Sequence, residues 1–220
     1  SLGSSGVDLL TADLSSMKDV ERLAGKLTEH FSDLKVLVNN AAVIRRERRE
    51  TVDGLEETFA VNYLSHFLLT NRLLPLLKEN APARIVNVSS MVHESGHVDF
   101  DDLQAERRYD ASFAYDQSKV LMVLFTRELA RRLEGSGVTA NTLHPGVIST
   151  KLLHVLFGGG GPVEKGAETS VYLAASPEVE GISGRYFKNK RQAHSRFLEG
   201  DDTDARRLRD ISEEVLNSLV

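Results

Sequence analysis

Between Ser112 and Lys151 the chain passes from a long helical pattern straight into a short apolar strand. Val120, Leu121, Leu124, Phe125, Leu129 and Leu133 recur at helical spacing and mark one buried face. Gly135 and Gly137 end the helix, Val138 to Leu143 reads as a buried strand, and Pro145-Gly146 turns the chain. Helix, strand and glycine-bearing turn make half of a repeating α/β unit. Tyr115 and Lys119 stand four residues apart at the helix start, so they project from one face. A cation beside a phenol favours the phenolate. The pair therefore predicts a lowered Tyr115 pKa and a side chain that trades a proton with an alcohol or carbonyl oxygen. Two residues at this spacing also arise by chance, in a helix whose Tyr packs and whose Lys is solvated.

The other segments extend the pattern. Val7 to Thr11 reads as a short strand, and Ser15 or Ser16 caps a helix that turns Met17, Val20, Leu23, Ala24, Leu27 and Phe31 inward. Leu34 to Val38 is the next strand, ending in Asn39-Asn40-Ala41-Ala42. Strand, helix and strand in so short a span predict a parallel sheet, whose ligands sit at the carboxyl ends of its strands. Asp13 and Asn40 fall at such ends.

Asp53 to Asn80 is the longest helical pattern, with Asn62 set among Phe59, Tyr63, Phe67, Leu68, Leu74 and Leu77. A buried amide needs partners, so Asn62 either supports a site or bonds across two helices. Ala83 to Val88 is a buried strand delivering Ser89-Ser90, and the connection that follows, Met91 to Ala111, is long for an α/β fold. Two strands and one helix thus bring Ser90, Pro145-Gly146, Tyr115 and Lys119 toward one crevice. Lys151 to Phe157 and the glycines Gly158 to Gly161 predict a lid over it or a tolerated surface insertion. A helix from Pro162 or Val163 to about Ala175, a final strand over Gly184 to Phe187 and an amphipathic helix over Asp201 to Leu219 complete the chain.

Composition removes several classes of function. There is no Cys, hence no disulfide, thiolate metal site or Cys nucleophile. A net charge of −5, with acids and bases interspersed, gives no nucleic-acid footprint. Arg45-Arg46-Glu47-Arg48-Arg49 reads as a solvated basic loop, with a basic loop beside a cofactor phosphate as the alternative. No apolar run reaches the roughly 18 residues of a membrane span, and no signal peptide opens the chain, so a cytoplasmic protein is expected. The 220 residues suit one domain, 1–220. His93-Glu94-Ser95-Gly96-His97 matches the zinc-protease pattern, but that pattern needs a helix and Gly96 weakens one here. No metal is expected. The G-x-S-x-G elbow of serine hydrolases is missing, although Ser90 lies at a strand end, and His144 beside Pro145 reads as structural.

Taken together, Asp13-Leu14, Asn39-Asn40-Ala41-Ala42, Asn62, Asn87-Val88-Ser89-Ser90, Tyr115-x-x-x-Lys119 and Pro145-Gly146-Val147-Ile148-Ser149-Thr150 resemble the short-chain dehydrogenase/reductase family in order and spacing. The text around Tyr115, and the spacing of 25 residues from Ser90 to Tyr115, most resemble its retinol-dehydrogenase-like branch. The resemblance implies a Rossmann-type, doubly wound parallel sheet with helices on both faces. It implies that Tyr115 is the general acid/base, that Lys119 binds the nicotinamide ribose and lowers the Tyr115 pKa, and that Ser90 hydrogen-bonds the substrate oxygen. Asn62 would hold a water of the proton relay. Asp13 and Leu14 would flank the adenine, Asn40, Ala41 and Ala42 would line the adenosine side, and Pro145, Gly146, Ile148 and Thr150 would border the nicotinamide. The implied cofactor is NADP, with NAD as the alternative. The implied substrate is a small alcohol, aldehyde or ketone of apolar character, an inference that Phe157 and the glycine segment support. A homodimer or homotetramer is the expected assembly.

Two departures accompany the resemblance. Ala42 stands where the family usually has Gly. The glycine-rich phosphate turn is not in this chain, which matches from near the family's third strand onward and so lacks the β-α-β-α portion that carries the turn. The alternative reading is therefore a catalytically silent nucleotide-binding or interaction protein on the same fold.

Overall fold

The structure is a computed structural model that describes residues 6–150, 152, 155 and 158–219. Its centre is a five-stranded sheet in the order β1 (Val36–Asn39), β2 (Ala83–Val88), β3 (Val138–His144), β4 (Tyr186–Lys188), β5 (Arg191–Ala193). β1 to β4 are parallel and β5 returns antiparallel to β4. The β4–β5 turn, Asn189-Lys190, has positive φ at both residues, the geometry that a tight hairpin takes. β5 itself has only three residues, two of them exposed, too short and polar to announce itself by alternation.

Residue alternation assigns the two faces. Ala83 and Ile85 of β2, with Val138 and Ala140 of β3, point into the larger core. That core is closed by α1 (Met17–His30), α3 (Ser65–Glu79), α4 (Ala111–Arg132) and α6 (Thr203–Ser218). Val86, Val88, Leu143 and Phe187 point the other way, onto Leu173 of α5 (Val163–Ala175) and Val179. The expected α/β architecture, a mainly parallel sheet with helices on both faces, is what forms.

Ser16 caps α1 as its type and position predict, its Oγ accepting from the Asp19 amide at 3.3 Å. The longest helical pattern is not one regular helix. A single α-turn, α2 (Glu57–Phe59), runs through a π-helical turn, Ala60–Leu64, into α3. π-turns of this kind gather at functional sites, and this one contains Asn62.

The strand expected over Val7 to Thr11 does not form. The segment runs without ladder partners, with Val7 60% and Leu9 84% exposed. A strand needs a neighbour to satisfy its backbone, and β1 has only β2 beside it among the described residues. Part of the expected lid, including Lys151 and Phe157, lies outside the described residues. The described end of the glycine segment is pinned: Gly161 N donates to Val147 O at 2.8 Å and Ser149 N to Gly161 O at 2.9 Å.

Candidate active site

The carboxyl ends of β1, β2 and β3 open into a cleft of about 1100 Å³. Its wall contains Asn40, Ala41 and Ala42 after β1, Ser90 after β2, Pro145, Gly146, Ile148 and Thr150 after β3, and Tyr115 and Lys119 from α4. Thus Ser90, 25 residues before Tyr115 in the sequence, shares one cavity with Tyr115 and Lys119. Ile44, Val88, Met91, Val92, Val147 and Leu152 give it an apolar lining.

A ladder of buried amides fixes the strand ends. Asn39 and Asn87 face each other in the β1–β2 register, and Asn39 Nδ2 donates to Asn87 Oδ1 at 2.8 Å and to Thr70 Oγ1 of α3 at 2.9 Å. Asn87 Nδ2 donates to Thr126 Oγ1 of α4 at 2.9 Å. Satisfied networks of this kind rigidify and specify a core. They lock both helices to the sheet just beneath the cleft. Ser89 Oγ donates to Lys119 O at 2.7 Å, tying the β2 end to the helical turn that carries Lys119.

Lys119 is fully buried, and its Nζ donates to Val88 O at 3.3 Å and lies 5.4 Å from the centre of the Tyr115 ring. Burial pulls its pKa down to about 8. The expected lowering of Tyr115 by Lys119 is not what this geometry gives. Burial pushes the Tyr115 phenol up to about 12, the Ser90 hydroxyl bonded to it works in the opposite sense, and Asp116 adds to the rise. The ammonium faces the ring and a backbone carbonyl, so the loss of solvent dominates. Tyr115 is accordingly a protonated donor at neutral pH. Asp116, half-buried beside it and close to Asp110, is itself pushed up to about 6 by burial first and Asp110 second.

Asn62 lies under the cleft rather than in its wall. Its Oδ1 accepts from Val43 N at 2.7 Å, and its Nδ2 donates to Val43 O at 2.9 Å and to Ser118 Oγ at 3.0 Å. Ser118 Oγ in turn donates to Tyr115 O at 2.7 Å. The side chain therefore braces the loop after β1 against the turn of α4 that carries Tyr115. Asp13 and Leu14 also lie outside the wall: the Asp13 carboxylate accepts from Ser15 N at 2.9 Å and Ser15 Oγ at 2.7 Å, and Leu14 packs on the larger core.

Sequence reasoning passed over His66. It is buried one helical turn from Asn62, and its Nε2 meets Ala41 O at 2.9 Å. Burial holds it down at about 4, and Lys119 adds to the effect. The Asn62/His66 spacing, two polar residues at i and i+4 inside an apolar face, was the signal. The basic loop is also less solvated than expected. Arg45 pairs with Glu57, Arg48 donates to Gln104 O at 3.2 Å, and Arg46 Nη2 reaches Val155 O at 3.0 Å. His93 and His97 do not face one point: His93 sits in a 3₁₀ turn, Met91–Glu94, and His97 packs on Phe113. No group of three or more His, Cys, Asp or Glu among the described residues is placed to hold a metal ion.

The short chain dehydrogenase family model matches residues 2–158, and the chain belongs to that family of oxidoreductases. Among curated relatives, it is 46% identical to retinol dehydrogenase 14 of Homo sapiens over 99% of this chain and 70% of that protein. It is 45% identical to human retinol dehydrogenase 13 over 89% of this chain and 64% of that protein. The chain thus spans about two thirds of the length of these relatives. Of solved structures, an uncharacterized protein from Mycobacterium paratuberculosis superposes with a TM-score of 0.77 at 32% identity, covering 96% of this chain and 76% of the other. The Pseudomonas aeruginosa RhlG/NADP active-site complex superposes at 0.62 and 25% identity, covering 81% and 73%.

Proposed function

We propose that this chain carries the reaction end of an NADP(H)-dependent oxidoreductase that interconverts a carbonyl and an alcohol on an apolar, retinoid-like substrate. The observation that carries the reading is the convergence of Ser90, Tyr115 and Lys119 on one apolar-walled cleft. The residues present fit the nicotinamide-ribose half of a dinucleotide. A buried ammonium has three donors, and Val88 O takes one from Lys119, which suits it to ribose hydroxyls. Gly146, at φ +98°, turns the backbone after β3 alongside, where a side-chain-bearing residue would be strained. When bound, the nicotinamide supplies the hydride.

The protein's own part is to place the substrate oxygen and manage its charge. Tyr115, protonated at neutral pH, donates the proton that a carbonyl oxygen needs as it becomes an alcohol. Ser90 donates a second hydrogen bond to the same oxygen as negative charge develops there. The apolar wall excludes water and strengthens both contacts. NADP as the cofactor is supported by the bound NADP of RhlG, and the retinoid-like substrate by the names of the retinol dehydrogenases and by the wall of the cleft.

The test has two stages. Titration with NADPH and NADH is followed by nucleotide fluorescence, which the absence of Trp leaves against little background. Turnover is then measured on retinal and a panel of short aldehydes. Saturable NADPH binding with turnover that Tyr115→Phe abolishes is the expected result. Full activity in Tyr115→Phe would overturn the assigned role.

A further inference from the structure

His93 belongs to a zinc-like pattern that forms no metal site and His144 reads as structural in the sequence, and the fold brings both to the peptide that follows Ser90. Ser90 lies in extended backbone, φ −153° and ψ 159°, at the start of the 3₁₀ turn. Its carbonyl oxygen meets His93 Nδ1 at 2.5 Å and also accepts from His93 N at 3.3 Å. The Met91 amide donates to His144 Nδ1 at 3.2 Å. Ser90 C=O and Met91 N–H are the two ends of one planar peptide unit. Contacts at both ends restrain this peptide, and with it the Cα from which Ser90 presents its hydroxyl to Tyr115.

We infer that His93 and His144 are positioning residues for Ser90, clamping the Ser90–Met91 peptide from both ends. The inference rests on the oxidoreductase reading for its kinetic consequence, while the clamp itself is a structural claim. It demands opposite tautomers. A carbonyl only accepts, so His93 Nδ1 carries the proton; an amide N–H only donates, so His144 Nδ1 carries the lone pair. Both rings are buried, which favours the neutral imidazoles that this arrangement needs.

The clamp is anchored from the far end of the chain. His93 Nε2 lies 3.0 Å from Ser195 Oγ, and the His93 ring meets the edge of Tyr186 of β4 with centroids 4.6 Å apart. With the proton on His93 Nδ1, Nε2 accepts from the Ser195 hydroxyl. Arg196 Nη2 donates to Gly96 O at 2.5 Å, pinning the loop that continues from His93. The segment after β5 therefore holds the back of the serine turn, while the cleft occupies its front.

The experiment uses the whole chain in four single variants. His93→Phe and His144→Phe keep a buried ring and lose the polar contact; His93→Asn restores a donor and His144→Asn an acceptor near the Nδ1 position. Two-dimensional nitrogen-15 spectra of the imidazoles in the unsubstituted protein are expected to show His93 protonated at Nδ1 and His144 at Nε2. Kinetically, the Phe variants are expected to lose ~10–100-fold in kcat, the order that a misplaced catalytic group costs. KM and NADPH affinity are expected to stay within about twofold, as for loss of a contact that matters only in the transition state, and the Asn variants to recover most of kcat. The reverse tautomer at either ring, or Phe variants with unchanged kcat, would overturn the clamp. An unsubstituted chain without turnover would instead overturn the oxidoreductase reading. The tautomers, and the Met91 amide shift in His144→Phe, would then uphold or sink the clamp on their own.

Discussion

At one end of the cleft, Ser90, Tyr115 and Lys119 are held by groups that are themselves buried: Val88 O, Ser89, Ser118 and the Asn39–Asn87 ladder. Past β1, Asp13 is exposed, and its carboxylate bonds to Ser15 alone among the side-chain contacts described there. The difference is one of how much of the fold specifies each group. A buried polar side chain must find its partners or forfeit the cost of desolvation, so its position is set by several elements at once. An exposed carboxylate on a turn has water as its alternative and is set only by its neighbours. The first end is held in place by several elements at once, and the second is local structure.

The largest expected contrast is kinetic. Tyr115→Phe is expected to lower kcat by about 10²–10⁴-fold, the contribution of a positioned general acid, with NADPH affinity retained in a fluorescence titration. Ser90→Ala is expected to cost about 10²–10³-fold, as for removal of one donor to a developing oxyanion. Equal effects on kcat and kcat/KM in steady-state assays would place the lost contact in the transition state.

The next contrast is in stability. Asn62→Leu removes the side-chain partner of Val43 N and Val43 O and the donor to Ser118 Oγ beneath the cleft. It is expected to cost roughly 1–3 kcal/mol or more in denaturant unfolding, and an unchanged midpoint would show that the brace is dispensable. A subtler test uses His66. Its folded pKa, about 4, lies below the ordinary 6.5 because burial disfavours the cation. Between those values the unfolded chain binds the proton more tightly, so this group stabilises the fold above pH 6.5 and its contribution is lost as pH falls toward 4. His66→Gln is expected to flatten the stability–pH curve in that window, by up to about 1.4 kcal/mol per pH unit for one proton. Asp116, raised to about 6, acts in the opposite sense near pH 4–6, so the difference between variant and parent is the quantity to measure. Smallest of all, Asp13→Ala is expected to leave the melting temperature unchanged. A marked fall would break the comparison by showing that the exposed end is also braced.

Much of this molecule was legible because its signals are local. Helical periodicity located α4, α5 and α6 closely, since burial of one face imposes a 3.6-residue period whatever lies opposite. The apolar runs of β2 and β3 were equally plain, because parallel strands are covered on both faces. The cap of α1 was narrowed by type and place to Ser15 or Ser16, and the structure gives it to Ser16. By contrast, β5 was hidden because three exposed residues make no pattern, and Val7 to Thr11 looked like a strand because apolar content cannot report whether a neighbour exists.

The candidate residues Ser90, Tyr115 and Lys119, and their order along an α/β framework, were legible in the sequence alone. Tertiary structure decided how they stand. It turned the Lys119 ammonium to the ring and to Val88 O, so that burial raises the Tyr115 phenol where sequence spacing implied a fall. It gave Asn62 to the Val43 backbone and folded His93 and His144 onto the peptide after Ser90. Spacing along a helix says which side chains share a face. Only packing decides how much water each loses and which partner replaces it, and those two quantities set pKa and position.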